Sequence, residues 1–169
     1  MSKWCPECPE QDTKLLSFTN RINAQRELIM KVELEFIGSV AGGDPKISVS
    51  NRHNNTTEYD SVQDGKFTVT TEIDFSPIDQ LRIQFFDKVH IPDSEKDTFV
   101  ELVKVVIDDI NLQHHFYKGK YFPCYDENFY REFLPPDYYQ PCSVFYHNGT
   151  FELDIKTPIW KFLMDGYDA

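Results

Sequence analysis

Residues 30–36, Met-Lys-Val-Glu-Leu-Glu-Phe, alternate apolar and charged side chains without a break. In a strand, successive side chains point to opposite faces, so this run places Val32, Leu34 and Phe36 on one side and Lys31, Glu33 and Glu35 on the other. One face is buried and the other is wet. The same period returns in residues 46–50, 66–70, 81–85 and, in the main, 99–107. Turn residues separate these runs: Gly42-Gly43-Asp44-Pro45, the polar stretch 51–57, Asp64-Gly65 and Ser76-Pro77. Residues 59–63 fit a further short strand, and no amphipathic pattern of helical length interrupts the series. The expected fold is all-β: an antiparallel β-sandwich, jelly-roll-like in arrangement. Asn148-Gly149, between 144–146 and 151–155, reads as a tight hairpin turn and predicts that the two flanking strands pair with each other.

The remainder divides into an extended N-terminal arm, residues 1–27, and a sandwich domain, residues 28–169, which contains an aromatic-rich connector at 113–141. In the arm, Leu15, Leu16, Phe18 and Ile22 fit neither the helical nor the strand period cleanly. Such a weakly patterned segment gains order by lying on a partner. Pro135-Pro136 stiffens the connector and excludes a continuous helix through it.

At 169 residues the chain is long enough to bury a core without disulfides or metal. Its formal net charge of −11 argues against nucleic acid as a partner, because phosphate binding needs clustered Lys and Arg, and it disfavours an anionic membrane surface. No apolar run approaches bilayer length, and Met1-Ser2-Lys3-Trp4-Cys5 has no apolar signal core, so a soluble protein made in a cytosol is expected.

Three groups of residues are candidates for chemistry or binding. Residues 87–97, between two strand-like runs, hold three aspartates and Glu95. Clustered carboxylates on a loop fit either a solvated acidic surface or a hard-oxygen ion site that suits calcium better than zinc. The connector carries Tyr121, Tyr125, Tyr130, Tyr138 and Tyr139. These tyrosines either finish the core, stack on sugar rings, or anchor a protein interface. Cys5 and Cys8 form a C-x-x-C outside any βαβ context, which argues against a redox centre. Together with Cys124 and Cys142 they fit a tetrahedral zinc site, and Cys124 with Cys142 fits a disulfide or two buried thiols. No nucleophile elbow, phosphate-cradling glycine loop or H-E-x-x-H is present, and adjacent His114-His115 cannot readily share one metal. No catalytic residue is assigned, and the chain is expected not to be an enzyme.

The succession 31–34, a glycine-bearing loop, 46–49, 81–85, the acidic loop and 103–110 resembles the small β-sandwich of calcium-dependent, xylan-binding carbohydrate-binding modules. That resemblance implies calcium held by loop carboxylates at Asp87, Asp93 and Asp97, contacting sugar hydroxyls; Phe86-Asp87 stands where that family has an Asn-Asp or similar pair, and the loop here is longer. No cofactor is otherwise required. A longer stretch, roughly 28–163, is similar to small virion proteins of tailed phages, marine and cyanobacterial ones especially, through Ile107-Asp108-Asp109-Ile110, the aromatic connector, 145–155 and 157–163. It implies a non-enzymatic structural protein of the bacteriophage virion, assembled in the host cytoplasm. The role implied is a capsid decoration or head-associated subunit, multicopy or homo-oligomeric, attached to other capsid or tail proteins through its arm and sandwich. The alternative is a head- or tail-borne calcium-dependent module contacting host surface polysaccharide.

Overall fold

A computed structural model describes residues 28–53, 58–90, 95–125 and 135–164. The arm 1–27 with Cys5 and Cys8, and likewise Asp93 and Tyr130, lie outside the described residues. The strands are β1 (Leu28–Ser39), β2 (Gly43–Ser50), β3 (Asp60–Ser61), β4 (Gly65–Phe75), β5 (Ile78–Lys88), β6 (Phe99–Ile107), β7 (Ile110–Asn111), β8 (Lys120–Pro123), β9 (Val144–Phe145) and β10 (Gly149–Lys156). A short helix α1 (Ile159–Met164) follows. One sheet runs β4-β1-β6-β7, with β9 also beside β6; the other runs β3-β2-β5-β10-β8, and every pairing is antiparallel. The chain is therefore the antiparallel β-sandwich that the alternation predicts. It is jelly-roll-like in that β1, β2, β4, β5 and β6 pass from one sheet to the other at each step.

Val32, Leu34 and Phe36 are fully buried, as are Leu81, Ile83 and Phe85 across the core. Lys31, Glu33 and Glu35 lie on the wetter face. The looser alternation of β6 has a local cause. Its register with β1 shifts between Glu35 and Phe36, from Lys104 to Leu102, leaving an extra residue that turns both Leu102 and Val105 inward. Asp108 and Asp109, both at positive φ, make the tight turn between β6 and β7. Aspartate enters that conformation at lower cost than most residues, and Asp108 Oδ1 accepts from the Lys31 amide at 2.8 Å, which ties the turn to β1.

The hairpin expected at Asn148-Gly149 does not form. β9 pairs with β6 in one sheet, whereas β10 pairs with β5 and β8 in the other, so residues 146–148 cross between layers. Gly149 is the first residue of β10, and it is glycine for space: a Cβ there would stand 2.4 Å from the Phe122 carbonyl oxygen and 2.8 Å from the Tyr121 hydroxyl.

The turn from β4 to β5 is built around a buried carboxylate, Asp79, which is 1% exposed. Its oxygens accept from the amides of Ser76, Gln80 and Arg52 and from the Ser76 hydroxyl, at 2.8–3.1 Å. Burial works against its charge, but these donors win and hold the carboxyl below the usual range. At the far end of the chain, α1 buries Ile159 and Phe162. His115 packs on Phe162 with ring centroids 5.4 Å apart and is half-buried, whereas His114 is exposed.

Candidate binding cleft

Four pieces of chain meet at one end of the sandwich: the end of β5, the residues before β6, the 146–148 crossing and the segment after β8. They enclose an open cleft of about 710 Å³ lined by Lys88, His90, Asp97, Cys124, Tyr125, Tyr146, His147 and Asn148. The acidic loop and the aromatic connector, distant in sequence, are thus brought together.

The floor is fixed by Lys88 and Asn148. The Lys88 side chain is only 10% exposed; its ammonium donates to Asp97 Oδ1 at 3.0 Å and to the Tyr146 carbonyl at 2.5 Å. The Asn148 amide oxygen accepts from the Lys88 amide at 2.9 Å and its Nδ2 donates to the Lys88 carbonyl at 3.4 Å, so a side chain substitutes for a neighbouring strand. Asn148 also accepts, through its carbonyl, from the Cys124 amide at 2.5 Å. Asp97 bears some burial, which opposes its charge, yet Lys88 and the Thr98 amide hold its carboxyl below the ordinary value. His147 is held below its usual pKa by burial and by Lys88, against a weaker opposing pull from Asp97, so its ring is neutral near pH 7.

Aromatic rings make the rim. Tyr125 meets His147 edge-on at 4.8 Å between centroids, and its hydroxyl lies 2.8 Å from that of Tyr139. Tyr139 in turn pairs backbone to backbone with Tyr121. Tyr139 is 40% and Tyr146 51% exposed. Tyr138, also exposed, directly precedes Tyr139, with Lys120 over its ring at 4.9 Å.

Tyr121 is not a contact residue. Its ring is buried and stacked on Phe145 at 4.6 Å, its hydroxyl donates to the His147 carbonyl, and burial drives its pKa upward. A side chain on the inward phase of β8 fills the core before it can serve a partner.

The described members of the acidic loop do not gather. Asp87 lies 3.9 Å from Lys46, while Asp97 is bound to Lys88. Among the described residues, no three His, Cys, Asp or Glu side chains come together as ligands; Asp93 of the calcium set and Cys5 and Cys8 of the zinc set lie outside those residues. Asp87 instead serves the backbone: at φ 58° it ends the regular part of β5 opposite the irregular Gly43 end of β2. Cys124 and Cys142 are free thiols, not a disulfide; Cys124 is exposed, and the half-buried Cys142 thiol donates to the Val144 carbonyl at 3.2 Å, burial raising its pKa.

Lys88, His90, Tyr146, His147 and Asn148 carried no binding signal in the sequence. The Asn148-Gly149 turn marked their neighbourhood without revealing that it would face the acidic loop. No protein-family model, curated protein or solved structure matches the chain.

Proposed function

We propose that this chain is a non-enzymatic attachment protein of a tailed-phage particle, a head-associated subunit that grips a neighbouring virion protein with the aromatic end of its sandwich. The observation that carries the reading is the concentration of exposed tyrosine rings, Tyr139 and Tyr146 with half-buried Tyr125, around a floor tied down by Lys88, Asp97 and Asn148. Large aromatics on a preorganised support lose little freedom on binding, which is what a permanent contact needs. Gold-labelled antibody against the chain should decorate intact particles from infected cells. Particles assembled with Tyr139→Ala and Tyr146→Ala together should lack the protein although it remains folded; undiminished incorporation would refute the assignment.

The cleft also favours a second reading, carbohydrate contact. Its size suits one or two sugar rings, with Tyr125 and Tyr146 offering stacking faces and His147 and Asn148 offering polar groups. Because the described carboxylates are engaged by lysines, retention on a glycan array should survive a chelator. Loss of retention with chelator would point to an ion, and no retention at all would end this reading.

A further inference from the structure

The tyrosine-rimmed cleft lies at Lys88, the last residue of β5; Ile78, its first, marks the opposite pole of the sandwich, about 33 Å away along the strand. The start of β1, the ends of β2 and β10, the β4–β5 turn and α1 meet there. The four most exposed large apolar side chains among the described residues all belong to this pole: Ile78 and Ile29, 71% and 68% exposed, then Met164 and Trp160 of α1. Single exposed aliphatics are ordinary, but a group of them rimmed by charge marks an interaction surface.

A ridge divides the pole. Residues 51–52 and the β4–β5 turn form it, and hydrogen bonds fix it: Asn51 Nδ2 donates to the Asp74 carbonyl, the Arg52 amide to Asp79 Oδ1 at 3.1 Å, and the Thr157 amide to the Pro77 carbonyl at 3.0 Å. On one side lies a hollow of about 340 Å³ whose charged lining is Glu58, Glu72 and Asp74, without Lys or Arg. On the other, a hollow of about 430 Å³ sets Arg52, Lys118 and Lys156 against the one carboxylate of Asp154. Arg52 reaches Asp154 at 3.6 Å, but both side chains are exposed, so the pair is worth little and yields readily to an incoming carboxylate. Ile29 lines the acidic hollow and Ile78 the cationic one. A chain of net charge −11 thus reverses its sign across the width of one ridge.

We propose that this pole is a two-fold interface with a second copy of the chain. A dyad through the ridge sets the acidic hollow of each copy against the cationic hollow of the other, so one complementary contact is made twice. Ile29 and Ile78 are buried between the copies, where apolar area supplies affinity, while the charges fix orientation and oppose other pairings. A purely acidic partner would suit the cationic hollow but be repelled by Glu58, Glu72 and Asp74, and a basic one would meet the reverse. The chain itself carries both halves of the match. Such a dimer holds its two tyrosine-rimmed clefts at its far ends, both free for neighbours, and two linked contacts strengthen attachment.

Analytical ultracentrifugation of the full-length protein tests this. The wild type should sediment as a dimer at micromolar concentration. Reversing either hollow, with Arg52→Glu and Lys156→Glu or with Glu58→Lys and Glu72→Lys, should raise the dissociation constant at least about tenfold, because like charges then face each other twice. All four side chains are exposed. An equimolar mixture of the two reversed proteins should form dimers again, since each supplies the charge the other lacks; that recovery also shows both to be folded. Lys66→Glu with Lys104→Glu makes the same change in net charge on the other sheet and should leave dimerisation within about twofold. A monomeric wild type, assembly that grows beyond the dimer, a dimer indifferent to the reversals, or a mixture no better than its components would overturn the proposal.

Discussion

Asp79 illustrates how much of this fold rests on single polar atoms. Four donors converge on its carboxylate in a place closed to solvent. Asp79→Asn removes the charge and turns one acceptor into a donor facing amides, and should lower stability by about 2 kcal/mol at pH 7 in urea unfolding. The same group makes stability pH-dependent. Its folded pKa lies below the unfolded value of about 3.9, so its contribution is complete above that value and is lost as pH falls through the folded one. Asp97 acts in the same direction. His115 and His147 act at higher pH: both are held below their usual value chiefly by burial, so below about 6.5 the unfolded chain takes up protons that the folded chain refuses. Acid unfolding should therefore begin below about pH 6.5 and steepen below about pH 4. The Asp79→Asn variant should lose part of the steep limb and keep the upper one. In Lys88→Met, the Asp97 titration followed by NMR should move upward, since Lys88 is the favourable partner that holds it down.

At the scale of elements, the strands were legible wherever one face is buried and the other wet, because a period of two then leaves no alternative. β1 is the clearest case: Val32, Leu34 and Phe36 fall inside as the alternation requires. What the sequence could not carry was partnership between strands. The residues around Asn148-Gly149 have the composition of a hairpin, yet the strands on either side belong to different sheets, because pairing is decided by which edges the rest of the sandwich leaves open. The glycine answers to crowding by Phe122 and Tyr121, a non-local constraint. Gly149→Ala should cost about 1–3 kcal/mol, read as a lowered unfolding midpoint, because the methyl group meets the backbone of Phe122 and Pro123, and the Tyr121 hydroxyl it also meets is held by its bond to the His147 carbonyl. The cleft was half legible for the same reason. Its acidic and aromatic contributors stood out by composition, while Lys88, His147 and Asn148 acquire their roles only when β5 and the crossing to β10 meet. Tyr121, one residue among many in an aromatic run, is assigned to the core by its phase on β8, which composition does not report.

For the whole molecule, a stiff two-sheet body with its polar and aromatic machinery gathered at one end is suited to holding. The net charge of −11 gives a basic partner something to recognise. The central claim is that the tyrosine-rimmed end fastens this protein to a virus particle, and the most direct measurement is cryo-electron microscopy of intact particles fitted with the sandwich. The account predicts density for the body in multiple copies, with Tyr139 and Tyr146 against a neighbouring subunit. Particles without that density, or with the body attached by another surface and the tyrosine end facing bare solvent, would contradict it.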